Sequence, residues 1–378
     1  MHVLLTTDSV GGVWTYTEEL SAGLVRNGHR VTLVSFGRLL DDGQRAWLLS
    51  MDSPSFDWIE TEYALEWMTD VGADLVSSVE MLRKVVHQVQ PDVLHSNQFA
   101  YGELADTLPV LLTGHSDVLG WWEAVHGESA PDTGRLRAYT SLVRAGLQSA
   151  TRLAAPTAWM ARELRQQYGI NRRIEVVANG RSPELFAPGV PAGQPQREGR
   201  VLQALTVGRT WDPGKHVTLL EQLDVPMPLI IAGEGISPAS PVHVPVALPG
   251  IESEGVTYLG KQTAAELREL YSRTAIYIAT SCYEPFGLAP LEAALSGCAL
   301  VLSDLPTLRE IWGDAALYYP VRDAEALSAI LVRLAGSWDE IEELGARALA
   351  RARTHYSAEQ MVKHHEALYA SLVQVATA

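Results

Sequence analysis

The chain reads as an α/β protein built from two successive doubly wound domains, on three observations. Short apolar runs of strand length alternate with stretches of helical spacing through the first half. The segment 187–200, APGVPAGQPQREGR, interrupts that series with proline, glycine and polar residues, as a surface connection does. A second strand–helix series of similar size then follows. Such units build parallel sheets covered by helices on both faces. In these sheets ligands lie outside the carboxyl ends of the strands, so chemistry is expected just after the apolar runs, in a cleft between two facing domains.

The elements follow in order. Residues 3–7, VLLTT, read as a buried strand. The turn from Asp8 to Gly12 leads into a helix beginning near Val13 or Trp14, with Val13, Tyr16, Leu20 and Leu24 at helical spacing. It ends near Asn27-Gly28, where glycine adopts the left-handed stop. VTLVSFG at 31–37 is the second strand. Residues 79–90 look helical; Asp92–His95 and Val110–Thr113 are short strands; 137–149 and 157–167 look helical, the latter capped by Thr157. In the second series strands are expected at 201–207, 228–232, 256–259, 275–279, 298–303 and 316–319, and residues 357–375 form one amphipathic helix. The domains are therefore placed at 1–178 and 179–356, with 357–378 as a terminal helix.

Composition narrows the function. Of 378 residues, 47% are hydrophobic and 20% charged, a globular balance. The net charge of −16 provides no broad field to attract nucleic acid or anionic lipid. Two cysteines, Cys282 and Cys298, make no disulfide framework, and the start lacks a basic region ahead of its short apolar run, so a cytoplasmic protein without a transmembrane segment is expected. Zinc-type Cys and His spacings, the phosphate-loop motif and the serine nucleophile elbow are all missing from the sequence. The first turn is not the dinucleotide fingerprint, and strand two ends Ser35-Phe36-Gly37 without an acidic residue for a ribose.

The richest stretch runs from Ser281 to Ala294, after the apolar run IYIAT. Pro285 and Gly287 keep its first part in a loop, and Pro290 suits a first helical turn. Glu284 is thus expected on the loop and Glu292 in the first turn of a helix that ends at Gly297. Backbone N–H groups at that helix start can meet a phosphate, and a single acidic residue there is favourable to the helix by itself. A second stretch, Val207 to Lys215, puts Arg209 and Lys215 on one short loop, two cations that repel unless an anion joins them. Gly11-Gly12 follows strand one, and His115 follows the strand ending at Thr113, with Trp121 and Trp122 close behind. Each of these has a plainer reading as a solvated cation, a tight turn, a structural histidine or a core tryptophan; His95 is more simply a core residue.

Glu284 to Glu292 matches the E-x7-E pattern of retaining glycosyltransferases with the GT-B fold, and the surroundings resemble glycosyltransferase family 4 over nearly the whole chain. The resemblance implies that Glu292 binds the ribose and Glu284 lies near the donor sugar, with Phe286, Gly287 and Leu288 presenting backbone to sugar and diphosphate. It implies that Arg209 and Lys215 neutralise the leaving diphosphate, that Gly11 and Gly12 approach donor and acceptor, and that His115 contacts the donor sugar. Gly233 and Gly260 are expected near the nucleotide. Lys215 is followed by His216 where most relatives carry glycine. Trp121 and Trp122 serve either acceptor stacking or core packing.

The implied reaction is metal-independent transfer of a hexosyl group, front-face and with retention, from a nucleotide diphosphate sugar, taken as a UDP-sugar, to an acceptor hydroxyl. The nucleotide sugar is a co-substrate, and no cofactor is called for. Lys215 is expected to be exposed in the cleft. Small molecule, oligosaccharide and lipid-linked sugar all stand as acceptors, with 38–78 and 116–136 shaping their site. An epimerase of the same architecture and a non-catalytic sugar-nucleotide-binding subunit are the competing readings.

Overall fold

The computed structural model describes residues 1–68, 71–186, 199–235, 252–253 and 255–376. The connecting segment expected at 187–200 lies outside the described residues except for its last two positions. The chain forms two compact units, Met1–Gly180 with Ala358–Ala378, and Arg181–Ser357.

In the first unit the strands are β1 (His2–Asp8), β2 (Arg30–Phe36), β3 (Phe56–Glu60), β4 (Val93–Ser96), β5 (Val110–Thr113), β6 (Arg152–Ala155) and β7 (Glu175–Val176). Their order across the sheet is β3-β2-β1-β4-β5-β6-β7, all parallel. Alternate side chains feed two cores, because successive residues of a strand face opposite sides. Leu4, Val34 and Leu94 meet Leu82 and Val86 of the helix Gly72–Val89. Val3, Leu5, Val31 and Val93 meet Leu20 and Leu24 of the helix Gly12–Arg26, and Met361, Tyr369 and Leu372 of the last helix, Ala358–Ala376.

The second unit holds β8 (Val201–Val207), β9 (Leu229–Ala232), β10 (Glu252–Ser253), β11 (Val256–Gly260), β12 (Thr274–Ala279), β13 (Ala299–Ser303) and β14 (Leu317–Tyr319). The order is β10-β11-β9-β8-β12-β13-β14, with only the two-residue β10 antiparallel among the described pairs. Strand order reverses between β1 and β4 in one sheet and between β8 and β12 in the other. These are the switch points at which ligands of doubly wound sheets sit. No described helix is long and apolar enough to cross a membrane.

The last helix is tied to its sheet by polar contacts as well as apolar ones. His365 Nδ1 is 2.8 Å from the Met361 carbonyl oxygen, so that nitrogen carries the proton. Nε2 then accepts from the Tyr16 hydroxyl at 2.8 Å. The His95 ring, expected to be a core residue, is indeed fully buried, between the Tyr369 hydroxyl at 2.6 Å and Thr113 Oγ1 at 2.8 Å.

Beyond β4 the chain enters the 3-10 helix Phe99–Asp106, which packs on the helix Gly134–Ser149 at unusually close range. A Cβ added to Gly146 would stand 1.9 Å from the Phe99 carbonyl oxygen. Alanine would otherwise favour the helix by about 1 kcal/mol, but overpacking against backbone costs about 1–3 kcal/mol or more. Gly146→Ala is therefore expected to lower stability by about 2 kcal/mol, read from urea midpoints; an unchanged or raised midpoint contradicts this packing.

Candidate active site

The loop after β8 is held by backbone before any side chain acts. Gly208 N–H donates to the Ala232 carbonyl at 3.0 Å, and Gly233 N–H to the Gly260 carbonyl at 2.8 Å. Gly233 has φ 151, and a Cβ there would fall 1.6 Å from the Gly208 oxygen. Only glycine lets the ends of β8 and β9 approach this closely. Gly233 and Gly260, marked in the sequence as nucleotide neighbours, thus have a packing role of their own.

Arg209 and Lys215 follow. Arg209 lies 2.7 Å from Asp212 Oδ2 and over the Trp211 ring, 5.2 Å from its centroid. Asp212 is buried, and its Oδ1 accepts the Gly214 N–H at 2.9 Å. Lys215 Nζ lies 2.5 Å from Glu284 Oε2, which also accepts from the Ser281 hydroxyl at 2.9 Å. Two further bonds join the loops: Cys282 N–H to the Gly214 carbonyl at 2.9 Å, and Thr280 Oγ1 to the Lys215 carbonyl at 2.7 Å. This corrects the expectation of an exposed Lys215: its side chain is 20% exposed and paired. The two cations do not wait for an outside anion. Each already has a carboxylate, because a partly desolvated ammonium or guanidinium is costly without one.

The stretch after β12 places the remaining donor-side candidates. Gly287, with φ 93, precedes the helix Leu288–Leu295. That start puts Glu292 past the first turn, one turn deeper than the sequence suggested. Its position comes from Arg181 instead, whose Nε is 3.0 Å from Glu292 Oε1, with side chains 8% and 12% exposed. The Arg181 backbone N–H is fixed to the Tyr356 carbonyl at 3.1 Å. Phe286 is buried, edge-on to Tyr356, so its side chain is core and only its backbone is available to a ligand; Leu288 is half-buried. Arg181 and Asp212 were not singled out from sequence. Asp212 lies inside the stretch from Val207 to Lys215, three residues after Arg209, and that spacing is the available signal.

In the first unit, Gly11 at φ 76 precedes the helix begun by Gly12, and both are exposed. The turn is anchored through Ser9, whose hydroxyl accepts the Arg38 N–H at 2.9 Å and whose carbonyl accepts from Gln44 Nε2 at 3.1 Å. His115, beyond β5, is half-buried, with Nε2 2.8 Å from Asn97 Oδ1 and its ring edge-on to Tyr16 at 4.6 Å between centroids. Burial, then the nearby His365, pushes its pKa down to about 3. Gln98 Nε2 donates to Asp8 Oδ1. Glu66 takes the N–H groups of Phe99 and Ala100, each at 2.9 Å; burial pushes its pKa up to about 7 against the pull of those bonds. Asn97 and Gln98, just past β4, and Glu66, in the loop after β3, carry no motif that marks them in the sequence. Trp121 and Trp122 sit half-buried on the helix Val118–His126, Trp122 with its centroid 4.2 Å from that of His126.

Two family models match the chain. One, described as Glycosyltransferase Family 4, covers residues 10–185; the other, Glycosyl transferases group 1, covers 205–337. The chain belongs to glycosyltransferase family 4. A D-inositol 3-phosphate glycosyltransferase of Nocardia farcinica is 30% identical to this chain over 234 residues, 54% of this chain and 49% of the relative. The chain thus spans about half the length of that relative. Sucrose-phosphate synthase from Thermosynechococcus elongatus is 19% identical, with a TM-score of 0.78 over 99% of this chain and 100% of that one. HepE from Anabaena, in complex with UDP-glucose, is 17% identical, with a TM-score of 0.72 over 98% and 100%. The fold shared with these structures is GT-B.

Removing Lys215 leaves the Glu284 carboxylate in poor solvent. Lys215→Ala is expected to cost about 1–3 kcal/mol in urea unfolding, and Glu284→Gln in the same chain to recover about half of that. Strict additivity of the two changes would show that the pair is not coupled.

The histidines set a pH dependence. Burial first, then neighbouring histidines, hold His95 well below 6.5, and burial holds His365 down to about 4. The unfolded chain takes up these protons near 6.5 and the folded one does not, so stability is lost as pH falls from about 6.5 toward about 4. Glu66 opposes this: folded, it keeps a proton that the unfolded chain releases near 4.5, so its share is lost as pH rises through about 7. The urea midpoint should be lower at pH 5 than at pH 7, and more so in Glu66→Gln. A higher midpoint at pH 5 would reverse the assignment.

Proposed function

We propose that the enzyme transfers a hexosyl group from a nucleotide diphosphate sugar to an acceptor hydroxyl with retention, by a front-face mechanism without a metal. The observation that carries this is the Lys215–Glu284 pair, 2.5 Å apart on loops joined by backbone hydrogen bonds at the switch point of the second sheet. The pair combines a cation for a leaving phosphate with a carboxylate for a sugar, on a support rigid enough to hold both.

In this reading the bond from the anomeric carbon to the diphosphate oxygen breaks as the acceptor oxygen forms its own bond on the same face. Lys215 and Arg209 stabilise the charge gathering on the diphosphate, which takes the acceptor's proton. Glu284 favours the oxocarbenium-like sugar, and the backbone of Phe286, Gly287 and Leu288 meets the phosphate end. Glu292, steadied by Arg181, takes the ribose. Gly233 and Gly260 border the nucleotide, and His115 with Gly11 and Gly12 approaches donor sugar and acceptor. Trp121 and Trp122 offer ring faces to the acceptor. A uridine donor is supported by the UDP-glucose held by the Anabaena neighbour. The localisation read from the sequence, cytoplasmic, goes with this soluble donor.

The test begins with thermal shifts for UDP-, TDP-, GDP- and ADP-sugars, because a ligand that binds only the folded state raises its melting point. The UDP-sugar is expected to give the largest shift. With that donor saturating, Lys215→Ala should lower transfer by about 10²–10³-fold, the cost of removing one charge-stabilising donor. Undiminished transfer, or a product whose linkage is inverted by NMR, sinks the proposal. Turnover of donor to a rearranged free sugar without any acceptor would indicate an epimerase.

A further inference from the structure

His115 has one ring nitrogen committed. Its Nε2 lies 2.8 Å from Asn97 Oδ1. Which arm of the Asn97 amide is oxygen follows from the other arm, which donates to the Thr6 carbonyl at 2.7 Å. A carbonyl can only accept, so the arm facing Thr6 is the NH2 group. The Asn97 backbone is fixed as well, its N–H on Thr6 Oγ1 at 3.0 Å, and the residue is only 8% exposed. An amide oxygen cannot donate, so the proton in the contact with His115 belongs to Nε2. A neutral imidazole has one ring proton, which leaves Nδ1 as a lone-pair acceptor. The imidazole is neutral because burial and the nearby His365 hold its pKa at about 3.

We propose that Asn97 is a positioning residue: by keeping the His115 proton on Nε2 it presents Nδ1 to the donor sugar as an acceptor, and so selects a sugar with a free hydroxyl at that position over its deoxy, O-methyl or carboxylate counterpart. The specificity half of this rests on the functional reading above, in which His115 meets the donor sugar. The chemistry is one-directional. A hydroxyl can donate to Nδ1; a methylene has no proton to give, and an ether or carboxylate sets a second lone pair against the first. A site built to bond a hydroxyl discriminates sharply against an analogue lacking it, because its own polar atom is left unpaired.

Two measurements separate the parts. Long-range proton–nitrogen NMR on histidine-labelled protein, with His115 assigned by its loss in His115→Gln, reports the tautomer without any substrate. The wild type should show a protonated Nε2 and a bare Nδ1 at His115. Asn97→Leu should lose that preference, and Asn97→Asp, which keeps an acceptor oxygen there, should retain it and stands in if the leucine variant does not fold. Donor hydrolysis is then measured with UDP-glucose and its monodeoxy analogues. In the wild type one deoxygenation should lower kcat/KM by about tenfold or more, and Asn97→Leu should reduce that penalty to about twofold or less. A proton on Nδ1 in the wild type, or the same deoxy penalty in wild type and Asn97→Leu, overturns the proposal. A wild type with the expected tautomer that binds no nucleotide sugar leaves the proton placement standing and overturns the functional reading.

Discussion

Lys215 reaches Glu284 across 69 residues of sequence. An ammonium and a carboxylate in a partly dry setting attract strongly, but each gives up hydration, and the balance turns on geometry. Here backbone supplies that geometry. β8 and β12 are neighbours in the sheet, and the loops leaving them exchange hydrogen bonds from Cys282 to Gly214 and from Thr280 to Lys215. Asp212 stiffens the turn from within by holding Arg209 and the Gly214 N–H together. The Ser281 hydroxyl, the Gly287 turn and the helix carrying Glu292 are arranged beyond that junction.

The first unit uses the same sheet position with opposite electrostatics. At the ends of β1, β4 and β5 the contacts are mostly between neutral groups: Asn97 with Thr6 and His115, and Tyr16 with His365. Burial keeps the imidazoles uncharged, so they hold the last helix and the His115 ring in place without a charge to neutralise. Glu66 is the exception. Its two backbone bonds cap the 3-10 helix, and burial raises its pKa even so.

Much of the fold was legible because parallel strands covered on both faces are written as continuous apolar runs. The runs at 201–207, 275–279 and 298–303 correspond to β8, β12 and β13 within a residue. β3 was invisible for a physical reason: Phe56–Glu60 lies at the sheet edge and is buried only at Phe56. β6 is four residues long and opens with Arg152, and the 3-10 helix Phe99–Asp106 has no period of its own to detect. Among the candidate residues, loop positions for Glu284, Lys215 and His115 could be read from the strands before them. Their partners could not, since Asn97 meets His115, and Arg181 meets Glu292, only through strand order and chain return. Charge reasoning along the sequence saw Arg209 and Lys215 repel; it did not see that folding brings each a carboxylate.

Gly233 has a consequence for anyone altering this protein. A residue whose missing side chain is the contact cannot be improved by trial, since every replacement begins by pushing a neighbouring strand end away. Mutational libraries covering that position will return one acceptable letter. Variation that the fold tolerates must therefore arise at positions whose side chains are free to differ, and Gly233 belongs to the framework that holds the ends of β8 and β9 together.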